Sequence, residues 1–249
     1  MNGFWTLWKR EVGSYFLSPI AYITTVFFLV VMGFSFWFMV NLKLISGAMA
    51  HEITREIYAS FFTWIAVLIV IPVLTMRCFS EEHKSGTIEA LMTAPVTDLA
   101  VVMAKYLGTL FFYVVMWLPT ASYIFIVNQF SSTPFQLDPG ALIGSYVGGL
   151  MVGGLFIAFG MLCSSMTSNQ IASAIMTFAI VSVLFFSGFL PFISDSSMIR
   201  EVTTHLSSVM HMLDASRGVI DSRSVVYYLS SIALVLFTTV KVVEARKWK

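Results

Sequence analysis

The 249-residue chain is 58% hydrophobic and only 11% charged, with a formal net charge of +1 and a mean hydropathy of +0.86. Soluble domains carry about a quarter charged residues, so this composition excludes an ordinary water-soluble fold and points to a surface that faces lipid. The near-zero net charge also excludes a partner recruited by long-range attraction, nucleic acid above all.

The first element is Phe4–Leu17, "FWTLWKREVGSYFL". Trp5, Trp8, Val12 and Tyr15 recur at spacings of three and four, and Lys9, Arg10 and Gly13 fall elsewhere. That pattern predicts an amphipathic helix lying on a membrane surface and feeding the first span through Ser18-Pro19. A membrane helix needs about 20 apolar residues. Six segments meet or nearly meet that length: Pro19–Val40, Tyr58–Met76, Tyr106–Val127, Ala141–Cys163, Ile171–Leu190 and Val225–Val243. The expected fold is therefore an all-α integral membrane protein, one transmembrane domain over residues 1–249. The first apolar run is too long for a cleavable signal peptide.

Between the second and third spans lies "SEEHKSGTIEALMTAPV", Ser80–Val96. Ser80, Glu81 and Glu82 are expected to carry the second span on into water, and Gly86 to break it. Thr87 or Ser85 can cap a new helix with Glu89 in its first turn, where a negative charge suits the dipole. Ile88, Leu91 and Met92 share one face, and Pro95 stops the helix. The result is a rod of about two turns, ~10 Å long, over residues 86–95. Joined to two spans, it can act as a lever or simply as a hairpin loop.

The fourth span carries Gly144/Gly148 and Gly149/Gly153. Such small-residue pairs let helices approach closely, within one bundle or between subunits. The long connection 191–224 contains a second amphipathic stripe, Met198, Val202, Leu206, Val209 and Leu213. His205 and His211 lie on it six residues apart, which is neither helical spacing, so no metal site is expected. Cys78 and Cys163 show no metal or disulfide spacing.

The chain has no P-loop, HExxH or GxSxG pattern. Between Lys105 and Asp195 the single charged side chain is Asp138. Proton- and ion-coupled carriers keep ionisable groups inside the bilayer. Any uphill work must then be powered by another subunit. With the N-terminus inside, the inner cations are Lys9, Arg10, Arg77, Lys84, Lys105, Lys241, Arg246, Lys247 and Lys249. The outer ones are Lys43, Arg55, Arg200, Arg217 and Arg223. The bias places both termini in the cytoplasm.

The stretch "MRCFSEEHKSGTIEALMTAPVTDLAVVMAKYLG", Met76–Gly108, resembles the signature of ABC-2 type permeases, the six-span membrane subunits of ABC transporters. "SRGVIDSRSVVYYLSSIAL" (Ser216–Leu234) and "EARKW" are similar to the gliding-motility-associated ABC permease subfamily, although Ser224 stands where an acidic residue is expected after Arg223. The resemblance implies export across the bacterial inner membrane. Its partners would be a cytoplasmic ATPase dimer, which binds the ATP and magnesium, a second permease copy, and a membrane-anchored extracytoplasmic auxiliary subunit. It implies that Phe4–Leu17, with Trp5, Trp8, Lys9 and Arg10, is an elbow helix. It also implies that Glu81, Glu82, Gly86, Thr87, Ile88, Glu89, Leu91, Met92 and Pro95 couple to the ATPase. By the same likeness the first and fifth spans face a pathway, with Ser173, Thr177, Phe178, Ser182, Phe185 and Phe189 as candidates. The outer connection, with His205, His211, Arg217, Asp221 and Arg223, would contact the auxiliary subunit or form a re-entrant gate. The alternative is an ATPase-driven machine that passes motion to that subunit and moves no solute. The chain itself is not expected to be an enzyme.

Overall fold

The computed structural model describes residues 2–46, 57–86, 96–130, 139–190, 203 and 206–246. Among the described residues every regular element is helical. α1 (Asn2–Leu17) leads into α2 (Pro19–Ser46), followed by α3 (Phe61–Thr75) and the short α4 (Ser80–Ser85). α5 (Asp98–Trp117) continues through a 3-10 turn (Leu118–Ala121) into α6 (Ser122–Phe130). α7 (Pro139–Met166), α8 (Gln170–Ser187), α9 (Ser208–Ser216) and α10 (Ser222–Arg246) complete the order.

Six helical stretches are long and apolar enough to cross a membrane: Pro19–Leu42, Phe61–Ser85, Asp98–Val127, Pro139–Met166, Gln170–Ser187 and Ser222–Ala245. They coincide with the six segments read from the sequence. The second runs on to Ser85 rather than ending at Met76, and the third starts at Asp98 rather than Tyr106 because Thr97 accepts a hydrogen bond from the Ala100 amide and caps a helix there. Local sequence sets other starts as well. Ser60 caps α3 through the Thr63 amide, and Asn169 caps α8 through the amides of Ile171 and Ala172. Ser207 caps α9 through the Met210 amide, and the described residues before it in the 191–224 connection, Thr203 and Leu206, are helical too.

α7 is the most enclosed of the spans, packed by α3, α5, α8, α9 and α10. Its glycines explain how five neighbours fit. Gly149 and Gly153 take the rings of Trp117 and Tyr113 from α5, while Gly144 and Gly148 take Ala215 and Met212 from α9. Gly160 receives Thr75 from the end of α3. With no Cβ in the way, Tyr113 and Tyr106 donate to the carbonyls of Gly149 and Gly154, each at 3.3 Å. Of the two uses open to the glycine pairs, both serve packing inside this bundle.

Beside α7 sits an aromatic cluster with its own polar seam. The rings of Phe28, Tyr58, Tyr113 and Tyr146 surround Trp117. Tyr58 and Tyr146 are hydrogen-bonded at 3.0 Å, and Tyr146 bonds Thr120 at 2.8 Å. In a bilayer these hydroxyls have no water to fall back on, so each must be satisfied within the protein.

Leu at Gly153 or Gly160 is expected to drive a side chain into Tyr113 or Thr75 and to destabilise the bundle by about 1–3 kcal/mol. Ala at Gly13 meets nothing within 4 Å and should be neutral or slightly stabilising. Thermal unfolding of the detergent-purified variants reads both outcomes.

Candidate functional site

The most concentrated polar chemistry lies where α1, α4 and α5 meet, at the end of α7 opposite its contact with α9. The backbone there is interrupted first. α3 ends at Thr75, residues 76–79 form turns, and α4 runs for only six residues before Gly86, whose φ of +70° is a left-handed conformation. A break of this kind frees backbone groups that must be satisfied. Ser164 of α7 satisfies them: its hydroxyl accepts from the amides of Phe79 (3.0 Å) and Ser80 (3.1 Å) and donates to the carbonyl of Met76 (3.2 Å). The broken turn is thereby fastened to the central helix.

Lys105 supplies the charge. Because α5 begins at Asp98, Lys105 lies two turns inside the helix, and its side chain is only 4% exposed. Its Nζ donates to Glu82 Oε1 at 2.8 Å and to Glu11 Oε1 at 3.1 Å. The ammonium also sits 5.3 Å from the centre of the Phe79 ring. A buried ammonium is tolerated only when paired and hydrogen-bonded. Here two carboxylates from two different helices do the pairing. Arg10 joins from the rim, 3.2 Å from Glu11 and 3.7 Å from Glu82.

Tyr15 adds a second tie among the same elements. Its hydroxyl bonds the Leu74 carbonyl at 3.1 Å and Thr109 at 2.8 Å, and its ring stacks on Phe112. Burial holds the phenol well above its ordinary pKa, which keeps it a proton donor. Gly108 permits the close approach, since a Cβ there would meet Glu11 at 3.1 Å. Between α1 and the α3–α4 junction lies a cleft of about 1040 Å³ with Lys105, Glu11 and Glu82 in its wall.

The residues expected to matter are distributed unevenly. In the N-terminal helix, Trp8, Val12 and Tyr15 turn inward as the stripe required, and Trp8 packs edge-on to Phe111. Trp5 is 54% exposed, because the buried face is centred on Glu11 rather than on the aromatic stripe. Lys9 is exposed. Glu82 does not run out into water but folds back onto Lys105, whereas Glu81 is exposed and 3.9 Å from Arg77. The break at Gly86 is present, and Thr87, Ile88, Glu89, Leu91, Met92 and Pro95 lie outside the described residues.

The six pathway candidates, five on α8 and Phe189 in the turn after it, do not share one open face. Ser173, Thr177 and Phe185 form a buried stripe, with Phe185 5.1 Å from the Trp64 ring of α3. Phe178 and Phe189 are exposed and Ser182 is half-buried. At the far end of α7, His211 lies 3.2 Å from the Tyr228 hydroxyl with its ring against Tyr227 and Tyr228. Asp221 accepts from the Arg223 amide and opens α10, and Arg217 stands exposed 3.9 Å from Asp214. His205 lies outside the described residues.

Glu11, Lys105, Thr109 and Ser164 were not singled out as site residues from the sequence. Two signals were there. Lys105 interrupts "AVVMAKYLGTLFF", an otherwise apolar run, and Glu11 shares helical spacing with Leu7, Trp8 and Tyr15.

The architecture and this charged, capped end define the chain as a multi-pass α-helical membrane protein. Residues 40–240 match the family described as ABC-2 family transporter protein, and the chain belongs to that family of membrane permease subunits. A search of the curated proteins returned no match.

Lys105→Met leaves two carboxylates against an apolar wall, and is expected to cost about 3–5 kcal/mol. Combining it with Glu11→Gln and Glu82→Gln should recover most of the loss. Denaturant unfolding in detergent of the single and triple variants measures both.

Proposed function

We propose that the chain is the permease half of an ATP-driven exporter in the bacterial inner membrane, with both termini and the Lys105 end in the cytoplasm. A separate cytoplasmic ATPase dimer binds ATP and magnesium and hydrolyses the nucleotide. A second permease copy completes the unit. α1 serves as the elbow helix, and residues 86–95 serve as the coupling helix that the ATPase grips. The resemblance of its sequence blocks to the gliding-motility-associated subfamily supports an extracytoplasmic auxiliary subunit that docks near His211, Arg217, Asp221 and Arg223.

One observation carries this reading. The segment after Gly86 follows α4, and α4 is tied through Glu82 to Lys105 of α5, which also holds Glu11 of α1, and through the Ser80 amide to α7. Force applied at the coupling segment therefore reaches three helices by short polar links rather than through a slack loop. The concentration of Arg10, Arg77, Lys84 and Lys105 at this end agrees with a cytoplasmic location.

A second reading has separate support. Half of the pathway candidates are enclosed by α3 and α7, and α7 is clasped at one end by Ser164 and at the other by Ala215 of α9. An element fixed at both ends suits the transmission of motion to an outer auxiliary subunit without solute transfer.

Glu89→Lys and Gly86→Pro should insert normally but reduce ATPase binding or stimulation about tenfold or more; proline cannot adopt the positive φ held by Gly86. Co-purification with the ATPase and nucleotide turnover in proteoliposomes read this. Wild-type assembly and turnover in both variants would overturn the coupling assignment, and brisk hydrolysis with no flux of any amphiphile would favour the second reading.

A further inference from the structure

The cleft between α1 and the α3–α4 junction is amphipathic along its length. At the bilayer side its wall is Ile20, Ala21, Val73 and Leu74; at the opposite end it is Arg10, Arg77, Glu81 and Glu82. Its volume, about 1040 Å³, matches the upper range of small-molecule sites. An apolar-walled recess at the edge of a membrane bundle fills with the surrounding amphiphile, because leaving it empty forfeits the contacts that its lining would otherwise make.

The charges select among amphiphiles. The cleft is lined by Arg10, Arg77 and Lys105 against Glu11, Glu81 and Glu82, so the formal charges cancel. Lys105 is consumed by its two carboxylates. Arg10 keeps one bond, 3.2 Å to Glu11, and the other two contacts are loose: Arg77 Nε is 3.9 Å from Glu81, and Arg10 is 3.7 Å from Glu82. Neither distance is a hydrogen bond. Arg77 Nε and Glu82 Oε2 are enclosed yet have no hydrogen-bond partner. A wholly cationic recess would take an anionic lipid. A balanced one, with arginines beside carboxylates, takes a headgroup that carries both signs.

We propose that this cleft is a binding site for a zwitterionic phospholipid with a primary ammonium, that is, a phosphatidylethanolamine. The phosphate lies against the guanidinium groups of Arg77 and Arg10. The ammonium, which has three donors, lies against Glu81. An acyl chain follows Ile20, Ala21, Val73 and Leu74 between α2 and α3. The proposal goes beyond the export reading and rests only on the chain being embedded in a bilayer.

Native mass spectrometry of the full chain, released from nanodiscs of equal palmitoyl-oleoyl phosphatidylethanolamine and phosphatidylglycerol, tests it. One phosphatidylethanolamine per chain should survive activation that strips phosphatidylglycerol. Phosphatidylcholine, whose quaternary ammonium has no N–H for Glu81, should be retained at least fivefold less. Arg77→Gln and Glu81→Gln should each reduce retention about fivefold. Ser14→Trp, which plugs the cleft wall from an exposed position of α1, should abolish it without touching any charge. Glycerophosphoethanolamine, the headgroup without chains, should not compete at equal concentration. Equal retention of the two lipids overturns the site, as does unchanged retention in Ser14→Trp or full competition by the bare headgroup. If no lipid is retained and a cysteine at position 14 is shielded only when the ATPase is bound, the cleft belongs to a protein partner and the proposal is wrong. The lipid-retention readouts use the permease alone, so they stand or fall independently of coupling and transport.

Discussion

A single buried ammonium organises one whole end of this molecule. Lys105 sits two turns inside an apolar helix, where its charge is tolerated only with partners at contact distance. Those partners come from elsewhere in the chain: Glu11 from the N-terminal helix and Glu82 from the far side of a broken span. Meeting the needs of one side chain thus fixes the docking of α1 and the direction in which α4 leaves the second span. Tyr15, Thr109 and Gly108 follow from that docking, since α1 must come close enough for Glu11 to reach.

The central helix answers the opposite demand. α7 lacks charge, and it carries glycine wherever a neighbour presses hardest. Tyr113, Trp117, Thr75 and Ala215 each occupy space that a side chain would have taken. Attraction without a hydrophobic driving force needs this kind of close fit. The same helix carries Ser164, so the fit and the polar fastening are parts of one rigid element. Events at the Lys105 end and at the α9 end share α7 as their common neighbour.

The helices were legible in the sequence because a span is a run of some twenty apolar residues, and no tertiary detail is needed to see it. The break at Gly86 was legible for a similar local reason. Membership of a permease family was legible in the block from Met76 to Gly108 and agrees with the family match. The site was legible only in part. The start of α5 depended on a single cap at Thr97, and misplacing it moved Lys105 from two turns inside a helix to its edge. Glu82 looked like a solvent-facing acid because its partner lies 23 residues further on. Ser164 looked like an ordinary small residue in a glycine-rich span. Its role exists only against the backbone of residues 76–80, and no pattern within its own helix points there. Ser173 and Thr177 of α8 were pathway candidates by family likeness, and Thr177 lies within the bundle and donates to the Ser173 carbonyl of its own helix, as hydroxyls in apolar helices commonly do.

The bond between Ser164 and the Ser80 amide spans 84 residues. At a synthesis rate of about 5–20 residues per second, the second span leaves the ribosome several seconds before the serine that closes its open turn. During that interval Lys105 has already emerged and can collect Glu11 and Glu82, while the amides at positions 79 and 80 have no protein partner from the fourth span. Synthesis order therefore leaves time for the charged corner to assemble before the fourth span arrives as a latch on the open joint.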